Sequence, residues 1–131
     1  MQSYIKRSLH FPLFICIALL FQGCLSPEES RIKSEIKEDY KVKEIRIHDV
    51  EEENNGKQIT VREVILLNSP VLKESKTDLE DGLRIARKFF RAMKNKEPYS
   101  GIRVIILNRE GSDEMMGQSK NYYYDKDLLE H

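Results

Sequence analysis

The feature that most constrains the fold of this chain is an amphipathic helix pattern that stands between two pairs of strand-like runs. Thr77 and Glu80 have the spacing of a capping box, in which each side chain bonds a free backbone donor at a helix start. From there DLEDGLRIARKFFRAMK predicts a helix that ends near Asn95. Its apolar face consists of Leu79, Leu83, Ala86, Phe90 and Met93, flanked by Ile85 and Phe89. One such helix needs a second layer to cover this face, so we expect it to pack on a sheet.

Four runs have the composition and periodicity of strands. Residues 42–50 alternate apolar and polar side chains, and residues 58–67 do so until the alternation breaks at Arg62-Glu63, after which the run is continuously apolar. Asn55-Gly56 between the two runs predicts a hairpin turn. Residues 102–107, IRVIIL, are almost continuously apolar and predict a central strand, and residues 121–124, NYYY, predict a short aromatic one. The expected fold class is α+β: a β-β-α-β-β order forming a four-stranded, mostly antiparallel sheet with one amphipathic helix packed on a face.

The N-terminus has the layout of a secretory signal peptide. Lys6 and Arg7 precede an apolar run over residues 11–21. That run is shorter than the roughly 20 apolar residues that span a bilayer. A buried core helix is the alternative interpretation.

The end of this segment, Leu20-Phe21-Gln22-Gly23-Cys24, resembles the lipobox of bacterial lipoproteins. Gly23 and Cys24 match the pattern, whereas Phe21 and Gln22 stand where the family usually has a leucine and a small residue. The resemblance covers residues 1–24 and implies removal of residues 1–23, a fatty-acylated Cys24 and a place in the cell envelope. Leu25, rather than an aspartate, follows the cysteine, which favours the outer over the inner membrane. A signal peptide cut elsewhere, leaving Cys24 as a free thiol, is the alternative.

The composition of the remaining chain limits its chemistry. Because Lys6 and Arg7 are the only charged residues before Cys24, their loss turns 22 basic and 22 acidic residues into an excess of two acidic ones. This balance gives no argument for nucleic acid as a partner. Residues 26–41 are dense in charge and carry two aliphatic side chains, Ile32 and Ile36, so we expect residues 24–41 to form a lipidated tether with at most a marginal helix. Residues 42–131 then form a single small domain.

Two groups of side chains are candidate interaction surfaces. Cations at helical spacing form a basic stripe that would suit anionic lipid headgroups or an acidic partner, or is simply a solvated face. This basic stripe consists of Arg84, Arg87, Lys88, Arg91 and Lys94. The other group is Tyr122, Tyr123 and Tyr124, in which alternation places Tyr122 and Tyr124 on one face and Tyr123 on the other. Exposed rings there would suit a protein interface, and buried ones belong to the core.

No pattern of catalytic or metal-binding residues is present in the sequence. His48 and Asp49 precede the acidic residues 51–53, but their spacing fits neither zinc nor calcium sites. Adjacent carboxylates at 51–53, 113–114 and 125–127 fall in predicted turns and tails. The glycine-rich and nucleophile motifs of common enzymes do not occur. We therefore expect no cofactor, no metal and no catalytic residue.

The leading hypothesis is a non-enzymatic envelope lipoprotein that binds another envelope protein or a host or cell-surface molecule. An enzyme of envelope polymers such as peptidoglycan is the alternative, and it requires a pocket with convergent carboxylates or His48. A structural subunit that pairs through an exposed strand edge is a third possibility.

Overall fold

A computed structural model describes residues 25–109 and 118–131 and confirms the α+β fold class. Four strands and a long helix follow the expected β-β-α-β-β order, with shorter helices around them. The elements, in chain order, are α1 Pro27–Asp39, β1 Glu44–Asn54, β2 Lys57–Leu67, α2 Pro70–Glu74, α3 Asp78–Ala92, β3 Tyr99–Asn108, β4 Gln118–Asp125 and α4 Lys126–Glu130.

The sheet is mixed, with the strand order β1-β2-β3-β4. The two outer pairs, β1–β2 and β3–β4, are antiparallel, and the central pair β2–β3 is parallel. The parallel pairing arises because α3 carries the chain back along the sheet before β3 begins. The Asn55-Gly56 turn is confirmed: their φ values of 53° and 79° are the left-handed pair that tight hairpins require.

Helix α3 packs on the sheet through most of the predicted face, since Ala86, Phe90 and Met93 are buried, but the centre of the buried face is shifted. Ile85 and Phe89 are fully buried, whereas Leu79 keeps 57% of its surface exposed. The buried stripe is rotated toward Lys88 because α1 covers that flank of α3. The predicted capping box is wrong: the Thr77 hydroxyl accepts no backbone N–H at the helix start and instead donates to the Asp81 carboxylate.

Residues 27–39, which the sequence placed in a tether, form a packed helix. Ser26 caps α1, and Pro27 occupies its first turn, where the missing N–H costs nothing. Ile32 and Ile36 are 6% and 1% exposed and belong to the same core cluster as the phenylalanines of α3. The two isoleucines lie one turn apart, so they face the core together.

The end of the chain is also part of the fold. Asp125 caps α4 by accepting the backbone N–H of Leu128 at 3.0 Å, and Leu129 is fully buried. Lys126–Glu130 therefore form a short helix that is anchored to the core by Leu129. Within residues 25–109 and 118–131, none of the helices combines the length and apolar character needed to cross a membrane.

Candidate functional site

The two faces of the sheet have different surroundings. In each strand, alternate residues point to the same face, so the cross-strand row Val64, Val104 and Tyr122 lies on one face. The next row, Glu63, Arg103 and Tyr123, lies on the other. Every strand residue of the core cluster belongs to the first face, on which the helices pack. We call this the inner face and the opposite one the outer face.

A charged network crosses three strands of the outer face. Arg103 of β3 donates to Glu63 of β2 at 2.7 Å and also contacts Glu52 of β1, with a second bond to Glu52 at 3.0 Å. His48 Nε2 lies 2.7 Å from the other oxygen of Glu63. The hydrogen bond from Arg103 lowers the pKa of the Glu52 carboxyl, and the pair raises the pKa of the guanidinium.

Tyr123 lies beside this network with 44% of its surface exposed. Its hydroxyl is 3.0 Å from the Ser100 hydroxyl. A Cβ at Gly101 would lie only 2.8 Å from the same Tyr123 oxygen, so the ring position depends on the glycine. The aromatic side chain is therefore seated against β3 while one side remains open to solvent.

The outer face also carries apolar side chains that no helix of the core cluster covers. Ile65 and Ile105 face each other across the β2–β3 pair, and Leu107 follows on the same face; all three are half-buried. We define the outer-face patch by its five members: Ile65, Arg103, Ile105, Leu107 and Tyr123. Apolar and aromatic side chains around an arginine are the composition enriched at protein interfaces.

The predicted alternation of the three tyrosines is confirmed, and it leaves Tyr123 as the exposed member. Tyr122 and Tyr124 point to the inner face, where their hydroxyls donate to Asp78 at 2.7 Å and to the Leu79 carbonyl at 2.6 Å. Burial raises the pKa of Tyr124 to about 12. A hydrogen bond from Lys120, with a second from Tyr122, lowers the pKa of Asp78.

The basic stripe is not one continuous free surface. Lys88 pairs with Glu35 of α1, Arg84 pairs with Asp81 at 3.1 Å, and Arg87 donates to the Leu128 carbonyl at 3.2 Å. The hydrogen bond from Lys88 lowers the pKa of Glu35.

The two remaining members of the stripe lie together at one end of α3. Arg91 and Lys94 are exposed, and neither has an ion pair or hydrogen bond with any residue that the structure describes. Within the predicted stripe, these two side chains are therefore the ones available to bind an anionic group of another molecule.

The acidic run around His48 is divided between the two faces of the sheet. His48 points outward to Glu63, whereas Asp49 points inward to Arg62 at 2.9 Å. Across the described ranges, 25–109 and 118–131, no group of three or more metal-ligating side chains is placed to hold an ion. Cys24 and the carboxylates at 113–114 lie outside the described residues.

A second charged cluster, on the inner face, was not predicted from the sequence. Arg62 donates to Glu29 of α1 at 2.5 Å, to Asp49 of β1 at 2.9 Å and to the Tyr99 hydroxyl at 2.8 Å. The side chains of Arg62 and Glu29 are only 14% and 8% exposed. Burial, followed by the hydrogen bond to Asp49, raises the pKa of Tyr99 to about 12. The break in alternation at Arg62-Glu63 is the one sequence signal near this cluster.

Comparison of the chain with protein-family models, with curated proteins and with solved structures found no significant match.

Proposed function

We propose that this protein is a lipid-anchored, non-enzymatic module of the cell envelope whose outer-face patch docks a protein partner. The observation that carries the proposal is the contrast between the two faces of the sheet. The inner face is covered by helices, while the outer face keeps Ile65, Ile105 and Tyr123 half-open around Arg103. Apolar groups of this kind on one surface are typical of an interaction site.

The charges of the outer face indicate the kind of partner that fits it. Arg103 is already bonded to Glu52 and Glu63, so docking leaves no unpaired charge to be buried. An interface of this type is stabilised by its apolar centre and by groups that hydrogen-bond at the rim. We therefore infer a folded envelope protein or a protein at the cell surface as the partner, with an apolar patch of its own.

The titratable groups of the described surface support a binding role over acid-base chemistry. A shallow groove of about 280 Å³ between α1 and α3 contains Glu28 and Glu35 beside Arg31 and Lys88. Arg31 bonds both Glu28 and Glu35, and Lys88 pairs with Glu35. A general acid or base near neutral pH needs a pKa raised toward 7, and the pairing with Lys88 moves the pKa of Glu35 in the opposite direction.

Site-specific photocrosslinking in intact cells tests the docking surface. A photoreactive residue at Tyr123 is expected to give one discrete protein adduct, because this ring lies in the outer-face patch. The matched control is the same residue at Leu79, which is 57% exposed but belongs to α3. Adding Ile105→Asp should remove the adduct at position 123. Equal adducts at both positions, or an adduct that survives Ile105→Asp, would contradict the proposal.

The lipid anchor is tested separately. Metabolic labelling with a fatty acid should mark the wild-type protein and should be lost in Cys24→Ala. Protease treatment of intact cells then distinguishes a surface-exposed module from a periplasmic one. An unlabelled wild-type protein would contradict the lipid anchor. It would not affect the proposed docking surface, which the crosslinking experiment tests independently.

A further inference from the structure

The start of α1 is fixed to the rest of the domain. The Ser26 hydroxyl accepts the Glu29 backbone N–H at 3.1 Å and lies 3.5 Å from the carbonyl oxygen of Ala92, the last residue of α3. The Glu29 side chain is held by Arg62 of β2 at 2.5 Å. Residue 26 therefore has a defined position beside the C-terminal end of α3.

The cysteine proposed to carry the lipid is close to this fixed point in the chain. Only Leu25 separates Cys24 from Ser26. Two residues of fully extended chain reach about 7 Å. A bilayer that holds a lipid on Cys24 must therefore meet the domain at the end where α1 begins and α3 ends, rather than at the distance that a tether over residues 24–41 would allow.

The same end carries Arg91 and Lys94, the two cations of the basic stripe that have no partner among residues 25–109 and 118–131. Arg91 and Lys94 flank Ala92 in the chain and are exposed. Arg84 lies eight residues before Ala92, which is about 12 Å along the helix axis at 1.5 Å per residue. Its guanidinium forms an ion pair with Asp81. Electrostatic attraction to a charged membrane falls off within about 8–10 Å at physiological salt, so position along α3 decides which cations act.

Two carboxylates at this end of the helix layer have basic neighbours of their own. Glu28 bonds Arg31 at 3.2 Å, and Glu97 lies 4.0 Å from Lys126. Glu53, close to the β1–β2 turn, is exposed at the same end, but it belongs to the sheet layer. This distribution favours contact of the helix layer, rather than the hairpin, with an anionic surface.

We propose, on the premise that Cys24 is lipidated, that the domain sits end-on against the bilayer with Arg91 and Lys94 on anionic lipid headgroups. The opposite end of the sheet, where β2 and β3 finish, points away from the membrane. The outer-face patch then stands roughly upright on the bilayer and remains open to a partner.

Orientation is measured with the full chain, produced in a host that lipidates it and reconstituted into vesicles. A reporter cysteine replaces Asn95 near the end of α3 or Leu79 near its start, and each is labelled with a fluorophore. Cys24 is the only other cysteine after residue 23, and its thiol is occupied by lipid. A quencher on lipid headgroups should quench the Asn95 reporter several-fold more strongly than the Leu79 reporter. Equal quenching would overturn the proposal.

The role of the two cations is measured by charge reversal. Vesicles of phosphatidylcholine alone are compared with an equal mixture of phosphatidylcholine and phosphatidylglycerol. The Asn95 reporter should be quenched more strongly on the anionic vesicles, and Arg91→Glu/Lys94→Glu should abolish the difference. The matched control is Lys73→Glu/Lys76→Glu, an equal change of charge in exposed residues near the opposite end of the sheet. Equal effects of the two double variants would overturn the proposal.

Vesicle flotation separates failure of this inference from failure of the anchor. If the wild-type protein floats with vesicles and Cys24→Ala does not, the anchor holds, and the quenching result decides the orientation. A wild-type protein that does not float with neutral vesicles overturns both the anchor and the orientation that rests on it.

Discussion

Two arginines on opposite faces of one sheet each hold two carboxylates, yet they connect different parts of the molecule. Arg62 on the inner face bonds Glu29 of α1 and so joins the helix layer to the sheet. Arg103 on the outer face bonds Glu63 of the adjacent strand β2 and Glu52 of β1, the next strand beyond it. The side chains of Arg62 and Glu29 are 14% and 8% exposed beneath α1, whereas those of Arg103 and Glu52 are 22% and 32% exposed and have no helix of the core cluster above them. The same ion-pair chemistry therefore stabilises the fold on one face and shapes a surface on the other.

The largest expected effect is that of Arg62→Ala. It leaves the Glu29 carboxylate, 8% exposed, without its charge partner, and removing one member of a buried pair costs about 3–5 kcal/mol. Urea denaturation measures the loss in the free energy of unfolding. The control is Arg46→Ala, whose pair with Glu44 is more than half exposed and should be worth at most about 1 kcal/mol. Similar losses for the two variants would show that burial of an ion pair does not decide its contribution to stability in this protein.

Alkaline pH should destabilise the inner face next. The folded-state pKa of Tyr124 is about 12, above its usual value of 10, because burial disfavours the phenolate. Its contribution is therefore fully present below pH 10 and is lost as the pH rises toward 12. At about 1.4 kcal/mol per pH unit the loss reaches roughly 2–3 kcal/mol. Thermal melts of wild type and Tyr124→Phe across this range check the effect, and identical pH profiles would refute it.

Gly101→Ala tests whether the outer face is tightly packed beside Arg103. The added Cβ would collide with the backbone carbonyl of Tyr124 and lie 2.8 Å from the Tyr123 hydroxyl. Overpacking of this kind costs about 1–3 kcal/mol. Adding Tyr123→Phe should restore only part of the stability, because the backbone contact remains. Full restoration would mean that the hydroxyl alone limits the space.

The smallest effect on stability is expected for Arg103→Ala. Its side chain is 22% exposed, its partners Glu52 and Glu63 are 32% and 13% exposed, and its bonds stay within the sheet, so the loss in the free energy of unfolding should be about 1–2 kcal/mol, below that of Arg62→Ala. The crosslinked adduct at Tyr123 should weaken in the same variant, because the patch loses its central arginine. If Arg103→Ala lost as much stability as Arg62→Ala, both clusters would stabilise the fold to the same extent, and the contrast between the two faces would be wrong.

Local patterns in the sequence predicted the elements that depend on near neighbours. The Asn55-Gly56 turn follows from the φ angles it requires, and the opposite faces of Tyr123 and Tyr124 follow from strand alternation. The face of α3 was predicted less well, since Leu79 is exposed where an apolar contact was expected. Periodicity within α3 does not record how far along the helix the sheet and the other helices reach.

The sequence by itself determined the number and order of the strands, the long helix and the hairpin turn, because periodicity and turn chemistry act over a few residues. It also supplied the resemblance to a lipobox on which the proposed lipid at Cys24 rests. Only the tertiary structure decided that residues 27–39 pack as a helix, that β2 and β3 are parallel, and that Arg62 meets Glu29 from 33 residues away. These features depend on burial shared between distant segments, and the net free energy of such contacts exists only once the layers have come together.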